Sequence, residues 1–412
     1  MTRESIPTWS ALLGPRTLAE FVEQDWERRV VLSRGDAARL GPLRQVAKWR
    51  ESQWLTEVDA ATRDASGVQS QSRVPIELAA DHYARGATIC GDVSSDPGLA
   101  PLLAAMGAEL GLAGRPFAKL YASPPQAGFA PHFDAHHVFV LQLSGRKRWW
   151  FSDGPALHRP AHSGKAHAGE AVWAAPMEGP VTDDEGQRLE VPEVDALRCE
   201  VLQPGDCLYL PPGTWHTTAA ERHSVAISVS PANVQSAHWV LSALAEQLAQ
   251  RAACRGIAVA GGPGAVDGRV APRVASEVDA CLEAVRAAID SLDPRDVHRA
   301  WLGGQQVEMP PAPDVAPAGP LSPDTKLRTV APEGLPYLIA PAGTGGADVV
   351  HLYGAGAEWT LPLSTRGFLD AIARQEAFTV EQAADFDPAV AGPDAEGLLR
   401  QLLRAGLVAR LR

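Results

Sequence analysis

The sequence is poor in cysteine and has no long apolar run, and both shortages exclude classes of protein. Its five cysteines are scattered, odd in number and form no C-x-x-C pair; they are Cys90, Cys199, Cys207, Cys254 and Cys281. We therefore expect reduced thiols in a cytoplasmic protein rather than a disulfide framework. No segment approaches the roughly 18 consecutive apolar residues of a membrane-spanning helix, and the amino terminus lacks the apolar run of a signal peptide. We expect no membrane partner.

Positive charge is the scarcer of the two signs. The chain has 37 Lys and Arg against 49 Asp and Glu, which gives a formal net charge of −12 at pH 7. This balance disfavours a general nucleic-acid binder, which is usually basic, and suits a basic partner through electrostatic steering. Many soluble proteins are acidic, so the charge alone identifies no partner.

Apolar residues are abundant. Hydrophobic residues make up 45% of the 412 and charged residues 21%, as is typical of a globular protein that buries a large core. The length exceeds that of one ordinary domain and predicts two or three.

Candidate metal ligands begin in the stretch PHFDAHHVFVLQLSGRKRWW at 131–150. His132 and Asp134 are two residues apart, so in an extended strand they project from the same face. Downstream, His216 follows the Pro-Pro-Gly turn of GDCLYLPPGTWHTT. Two histidines and one carboxylate that leave coordination positions open form the set that holds non-haem Fe(II) for oxygen chemistry.

Other histidines are weaker candidates. Neighbouring residues in an extended segment face opposite ways, so at most one of His136 and His137 can face the site. His158, His162 and His167 lack regular spacing, and we expect no second metal site from them.

Three motifs in this order resemble the JmjC-type cupin oxygenases, above all their ribosomal oxygenase branch, which hydroxylates ribosomal proteins. They are GFAPHFD at 128–134, VFVLQLSGRKRW at 138–149 and PGDCLYLPPGTWH at 204–216. The resemblance implies a JmjC double-stranded β-helix, also called a cupin or jelly-roll barrel. It also implies Fe(II) bound by His132, Asp134 and His216, with 2-oxoglutarate as co-substrate.

The same resemblance implies a co-substrate site. Lys147 falls at the family's basic residue for the distal carboxylate of 2-oxoglutarate, and Tyr121 and Ser230 fall at further co-substrate positions. Residues 224–230 alternate cleanly, so Ser230 is expected to face the barrel interior. The family often has Asn two residues before the tyrosine, whereas this chain has Lys119, which leaves the detail of the pocket open.

Periodicity predicts the framework around these motifs. Strands are expected at 117–121, 138–141, 207–210 and 224–230, and a helix at 97–112. Residues 43–90 mix helical and strand signals and contain no recognisable chemical motif. Residues 152–198 form an insert between the two halves of the metal motif, and we expect a lid or a substrate-facing loop there.

The pattern becomes helical after Pro231. Two apolar stripes, at 237–248 and 274–292, each need a partner surface. The family resemblance implies that this region forms a homodimer, and packing onto the chain's own barrel is the alternative. Prolines crowd 309–323 and predict a linker. Strands and short helices follow, with a capping box at 379–382.

These signals predict an α+β protein of four segments. They are a JmjC cupin catalytic domain at 1–235, a helical dimerisation region at 236–308, a Pro-rich linker at 309–324 and a winged-helix-like module at 325–412. The function that the resemblance implies is Fe(II)- and 2-oxoglutarate-dependent hydroxylation of a protein side chain, His or Arg of a ribosomal protein. One alternative is a tailoring hydroxylase of a peptide or small natural product. Another is a cupin that binds a metal or ligand without oxidising anything.

Overall fold

The structure is a computed structural model and describes residues 8–64, 69–112, 114–177, 179–232, 234–257, 259–260, 265–266, 269–307, 321–330, 335–341, 346–354, 357–390 and 392–411. The chain divides into two compact units, Met1–Asn233 (unit 1) and Val234–Arg412 (unit 2). No helix in the described ranges combines the length and the apolar content that crossing a membrane requires.

One antiparallel sheet joins the twelve described strands of unit 1. The strands are β1 Val31–Ser33, β2 Glu57–Arg63, β3 Gln69–Pro75, β4 Thr88–Asp92, β5 Phe117–Ser123, β6 His132–Phe133, β7 Val138–Phe151, β8 Gly164–His167, β9 Glu170–Trp173, β10 Arg198–Leu202, β11 Cys207–Leu210 and β12 His216–Ser230. The main path runs β1-β11-β7-β12-β5-β4-β2-β3; β10 pairs with β7, and β6 connects β12 to the β8–β9 hairpin. The predicted strands all lie in this sheet, and the predicted α+β class is confirmed.

Four α-helices, three 3-10 segments and one π-helical segment complete the described part of unit 1. The helices are α1 Trp9–Leu12, α2 Leu18–Glu20, α3 Ile76–Ala84 and α4 Ala100–Glu109. Trp9 of α1 and Met106 of α4 belong to one buried cluster with Phe139 of β7, so helices cover this face of the sheet. The helix predicted at 97–112 is shorter than expected, because the chain turns at Gly111, which has φ +57°.

A β-bulge in β7 decides which of its side chains share a face. The register with β12 skips Leu143, and Gly145 just beyond has φ +68°, a conformation that glycine adopts at little cost. One extra residue reverses the alternation of a strand. Consequently Val140 before the bulge and Lys147 after it line the same cavity.

Unit 2 combines helices with three small antiparallel sheets in its described part. The strands are β13 Ala265–Val266, β14 Arg269–Val270, β15 Lys326–Thr329, β16 Tyr337–Pro341, β17 Asp348–Gly354, β18 Ala357–Pro362, β19 Phe378–Thr379 and β20 Val408–Arg410, and the helices are α5 Ser236–Ala249, α6 Pro272–Asp290, α7 Pro294–Val307, α8 Arg366–Ala373, α9 Val380–Ala383 and α10 Pro393–Arg404. The sheets have the strand orders β13-β14, β19-β15-β20 and β16-β17-β18.

The helical stripes predicted at 237–248 and 274–292 are confirmed as α5 and α6. The capping box is also confirmed, since Thr379 Oγ1 accepts a hydrogen bond from the Gln382 amide and Gln382 returns one to the Thr379 amide. Most of the predicted Pro-rich linker lies outside the described residues.

Candidate metal centre and co-substrate cavity

Three predicted ligands converge where β6 meets β12. His132 and His216 are directly paired across these strands, and their ring centroids are 4.1 Å apart. Asp134 follows β6, and its Oδ2 lies 3.7 Å from His216 Nε2. One ligand atom from each residue lies within 4.8 Å of the other two, and no other such group was found among the described residues. This arrangement can hold one metal ion.

Two aromatic side chains fix the ligands from behind. Phe133 separates the first two ligands and Trp215 precedes the third, so alternation turns both rings away from the site. The rings pack edge to face with centroids 5.1 Å apart, and both are almost fully buried. Movement of either ligand strand would therefore disturb this contact.

A glycine turn ties the two halves of the motif together. The Gly213 amide donates a hydrogen bond to the Asp134 carbonyl oxygen at 2.8 Å. Gly213 has φ +78°, and a Cβ there would lie 1.9 Å from the Leu157 carbonyl oxygen. A side chain at this position would be strained and would also clash, so the turn before His216 requires glycine.

Both histidine rings are oriented by backbone carbonyls. His132 Nδ1 lies 2.8 Å from the Ala130 oxygen, and His216 Nδ1 lies 2.9 Å from the Thr214 oxygen. A carbonyl only accepts, so each Nδ1 carries hydrogen and each Nε2 keeps its lone pair for a metal.

Electrostatics favour the protonation states that bind a metal. Burial, followed by repulsion from His132, lowers the pKa of His216 to about 4, so its ring is neutral at pH 7. Burial alone would raise the pKa of Asp134. Electrostatic interactions with His136, His132, His216 and Lys119 outweigh that effect and lower the pKa of Asp134 below its usual value, so the carboxyl is ionised.

The triad opens into a cavity of about 420 Å³, within the usual range for small-molecule sites. Its lining includes the triad, Asp59, Gln69, Gln71, Cys90, Lys119, Tyr121, Phe129, His136, Val138, Val140, Lys147, Trp149, Ser163, Lys165, His167, Thr218, Ala226 and Ser228. Polar and charged groups thus converge on a cavity that also has apolar walls.

Lys147 is the buried cation of this cavity. Only 3% of the residue is exposed, and its Nζ donates to Ser123 Oγ at 3.1 Å. No ion pair joins it to any carboxylate in the described ranges, and burial lowers its pKa to about 8. A buried ammonium without a carboxylate partner is poised to bind an anion, and the distal carboxylate of 2-oxoglutarate fits this requirement.

The other predicted co-substrate residues are placed differently from one another. Tyr121 lines the cavity, and the Lys147 Nζ is 5.9 Å from its ring centre. Burial raises the pKa of Tyr121 well above its ordinary value, so its hydroxyl stays protonated. Ser230 is buried, and its Oγ has no hydrogen-bond partner among the described residues. Ser228 of the same strand lines the cavity instead. Lys119 adds a second ammonium to the lining.

Only one of the adjacent histidines faces the site, as alternation predicted. His136 lines the cavity. His137 instead stacks on Trp26 with centroids 3.8 Å apart, and its Nδ1 lies 2.9 Å from the Tyr209 hydroxyl. It therefore belongs to the core behind the site.

Two walls of the cavity come from segments without a recognised motif. The β2–β3 hairpin contributes Asp59, Gln69 and Gln71, although the sequence at 43–90 indicated no chemistry. The run QSQSR at 69–73 is polar throughout, so it gave no alternation that marks one face. The insert contributes the β8 strand, in which Lys165 pairs with His132. The insert therefore faces the site as a wall, in keeping with the expected substrate-facing segment.

Residues 108–239 match the JmjC domain family. The chain therefore contains a JmjC domain, and the His–Asp–His triad lies inside the matched range. The cavity lining also includes Asp59, Gln69, Gln71 and Cys90, which lie outside that range.

Particular relatives add detail. The chain is 38% identical over 138 residues to the bifunctional lysine-specific demethylase and histidyl-hydroxylase NO66 of Drosophila willistoni, a match that covers 33% of this chain and 16% of that protein. It is 24% identical over 256 residues to protein YxbC of Bacillus subtilis, covering 58% and 74%. Two structures of YcfD from Escherichia coli, one titled a ribosomal oxygenase in complex with cobalt and 2-oxoglutarate, have TM-scores of 0.48 and 0.47. They are 21% and 20% identical, and the alignments cover 96% and 97% of this chain and 98% and 99% of theirs.

Proposed function

We propose that this protein hydroxylates a side chain of a basic protein substrate, a histidine or arginine of a ribosomal protein. The observation that carries the proposal is the metal triad at a cavity that also contains an unpaired buried lysine. When bound, Fe(II) and 2-oxoglutarate supply the oxidation of a C–H bond by O₂. The chain supplies binding, orientation and exclusion of water.

Each residue has a proposed task. His132, Asp134 and His216 hold the metal, and their backbone contacts keep both Nε2 atoms directed at it. Lys147 binds the distal carboxylate of 2-oxoglutarate, and Tyr121 donates a hydrogen bond to the same end. Ser230 or its cavity-lining neighbour Ser228 adds a hydroxyl. Asp59, Gln71 and His136 lie on other walls and are positioned to contact the substrate side chain.

The substrate class rests on separate support. The motifs resemble the ribosomal oxygenase branch, and NO66, whose name includes histidyl-hydroxylase, is 38% identical over the matched residues. The net charge of −12 favours encounter with an Arg- and Lys-rich protein. A ribosomal substrate would place the protein in the cytoplasm.

Intact-mass analysis of ribosomal proteins from the host, with and without the gene, tests the proposal. We expect one ribosomal protein to lose the mass of a single oxygen atom on deletion and to regain it with the wild-type gene. Complementation with His132→Ala is the matched control and should not restore the mass. Unchanged ribosomal proteins would refute the ribosomal substrate.

Succinate release by the purified protein separates the remaining alternatives. Release that depends on added iron and on a peptide or small natural product would indicate a tailoring hydroxylase. No release under any condition, with metal still bound, would indicate a cupin that only binds.

We also propose the four predicted segments and a homodimer formed through α5 and α6. The division of the chain after Asn233 supports the first boundary, and the JmjC match supports a double-stranded β-helix in unit 1. Apolar side chains remain exposed on both helices, among them Leu241 of α5 at 62% and Leu282 of α6 at 45%. Light scattering should give a dimer mass, and Leu241→Glu with Leu282→Glu should give a monomer. A monomeric wild type would refute the dimer.

A further inference from the structure

Two cysteine sulfurs lie side by side in unit 2. Cys254 ends the 3-10 turn Ala252–Cys254, which closely follows α5, and Cys281 lies in the middle of α6. Their Sγ atoms are 3.4 Å apart although the residues are separated by 27 positions in sequence. A disulfide bond is about 2.05 Å long, so the sulfurs need to approach by roughly 1.4 Å to form one.

Exposure distinguishes this pair from the two buried cysteines. Cys254 and Cys281 are half-buried, whereas Cys90 and Cys207 are buried. Burial raises the pKa of Cys90 to about 11 and that of Cys207 to about 12, which keeps both thiols protonated and unreactive. A small oxidant can therefore reach the 254–281 pair more readily than the cysteines of the core.

We propose that Cys254 and Cys281 are a redox modification site at which hydrogen peroxide forms a reversible intramolecular disulfide. The proposal is independent of the oxygenase activity and of the substrate, because it uses only groups within unit 2. It does not require the proposed dimer.

The reaction balances in two steps. In the first, the thiolate of one cysteine attacks a peroxide oxygen, the O–O bond breaks, and protonation gives a sulfenic acid and one water. In the second, the other sulfur attacks the sulfenic sulfur, the S–S bond forms, and the hydroxyl leaves as a second water. Two thiols are oxidised and one peroxide is reduced.

The contact between the sulfurs supplies both partners of the reaction. Cys281 Sγ donates a hydrogen bond to Cys254 Sγ at 3.4 Å. Whichever sulfur attacks the peroxide, the other therefore lies close enough to resolve the sulfenic acid.

The bond would change unit 2 in a defined way. It would close the chain between the turn after α5 and the middle of α6, and a cross-link of this kind restricts the unfolded chain. We therefore expect the oxidised protein to unfold at a temperature higher by roughly 5 °C or more.

The test uses the full-length protein and hydrogen peroxide, followed by N-ethylmaleimide and peptide mapping without reduction. We expect Cys254 and Cys281 to escape alkylation and to appear in one linked peptide pair, with a mass loss of about 2 Da for the two hydrogens. Dithiothreitol should reverse the change. Cys199→Ser, which removes the exposed cysteine, is the matched control and should behave like the wild type.

Variants of the pair make the test decisive. Cys281→Ser and Cys254→Ser should each abolish the linked peptide pair and the thermal shift, and should leave the remaining cysteine as an alkylated thiol or a trappable sulfenic acid. The proposal is overturned if both cysteines are alkylated after peroxide. It is also overturned if either forms only bonds between chains, or if the shift persists in both variants.

Discussion

The two units bury different kinds of side chain. Among the described residues, fourteen buried polar or charged residues lie in unit 1, whereas unit 2 has two, His351 and Thr365. Burying a polar group costs free energy unless it finds a partner, and most of the fourteen have one, such as Thr88 with Ser123. The core of unit 2 consists of side chains such as Phe368 and Leu402. The number of buried polar groups therefore does not by itself identify a ligand site, and the partners of each group decide.

Individual residues sharpen this contrast. His351 of unit 2 is buried but has two partners, since its Nδ1 lies 2.5 Å from Glu358 Oε1 and its Nε2 lies 3.3 Å from the Pro341 oxygen. Lys147 of unit 1 is equally buried and has only a serine hydroxyl. The first group is satisfied by the fold, and the second retains the capacity to bind an anion. A buried polar group therefore indicates a ligand site only where some of its hydrogen-bonding or ion-pairing capacity is unused.

The largest effect is expected from removal of a metal ligand. His132→Ala should reduce 2-oxoglutarate turnover by roughly 100-fold or more and should lower the bound metal, because two ligands remain from the set of three. Succinate release and metal analysis measure both. His137→Ala is the matched control, since this ring packs away from the cavity, and it should retain its metal. Full activity of His132→Ala would contradict the ligand assignment.

Removal of the buried cation should affect binding and stability in opposite directions. Lys147→Met should raise the KM for 2-oxoglutarate at least about 30-fold, because a buried charge pair is lost. The same change should stabilise the ligand-free protein by up to roughly 3 kcal/mol at pH 7, from a pKa of about 8 in the fold against 10.5 for free lysine. Steady-state kinetics and urea unfolding measure the two effects. A KM that does not change would remove Lys147 from the co-substrate site.

The pH dependence provides a control for the same residue. The pKa of Lys147 is lower in the folded protein than in the unfolded chain, so the unfolded chain holds the lysine proton more tightly. The cost of burying the charged lysine is complete below pH 8 and disappears as the pH rises from about 8 to 10.5. Between about pH 8 and 10.5, the free energy of unfolding of the wild type should rise relative to that of Lys147→Met. The affinity for 2-oxoglutarate should fall above about pH 8. Parallel stability profiles of the two proteins would refute the assignment.

The next prediction concerns the stability of the turn before His216. Gly213→Ala should destabilise unit 1 by about 2 kcal/mol or more, because strain at positive φ adds to a clash with the Leu157 carbonyl. Gly186→Ala is the matched control, with φ +80° and open space around the added carbon. It should cost about 1 kcal/mol. Thermal unfolding measures both, and equal costs would show that the clash is relieved by small movements.

The smallest effect on catalysis is expected from the core of unit 2. Leu402→Ala should destabilise this unit by roughly 2–5 kcal/mol, because it leaves a cavity at a fully buried position. The kcat/KM for 2-oxoglutarate should not change at temperatures where the protein remains folded. Leu363→Ala, at an exposed position, is the control and should be close to neutral. A loss of turnover in folded Leu402→Ala would place chemistry in unit 2.

Only part of the metal triad could be predicted from short-range geometry. Two positions along a strand fix the common face of His132 and Asp134, and a Pro-Pro-Gly turn marks the start of the strand at His216. The same alternation separated His136 from His137. The approach of His216 to His132 is a distant contact, and it was predicted from the order of the three motifs that resemble the JmjC-type oxygenases.

The placement of Lys147 could not be derived from alternation. Counting in twos from Val138 places Arg146 in the cavity and Lys147 outside it, and only the bulge at Leu143 reverses this result. Lys147 was identified instead by its position in a motif that resembles the JmjC-type cupin oxygenases. The walls formed by Gln69 and Gln71 were missed because their strand reaches the site through pairing across the sheet, which local sequence does not encode.

The insert has a consequence for how this enzyme class changes over evolutionary time. Its hairpin meets the ligand strand through two residue pairs, His132 with Lys165 and Phe133 with Gly164. One wall of the cavity is thus encoded by a single contiguous stretch of the gene, separate from the motifs that carry the ligands. Insertions, deletions or recombination confined to that stretch can remodel the wall while the ligands keep their register. We expect the substrate preference of relatives to vary with the sequence of this insert, while the metal-ligand residues stay the same.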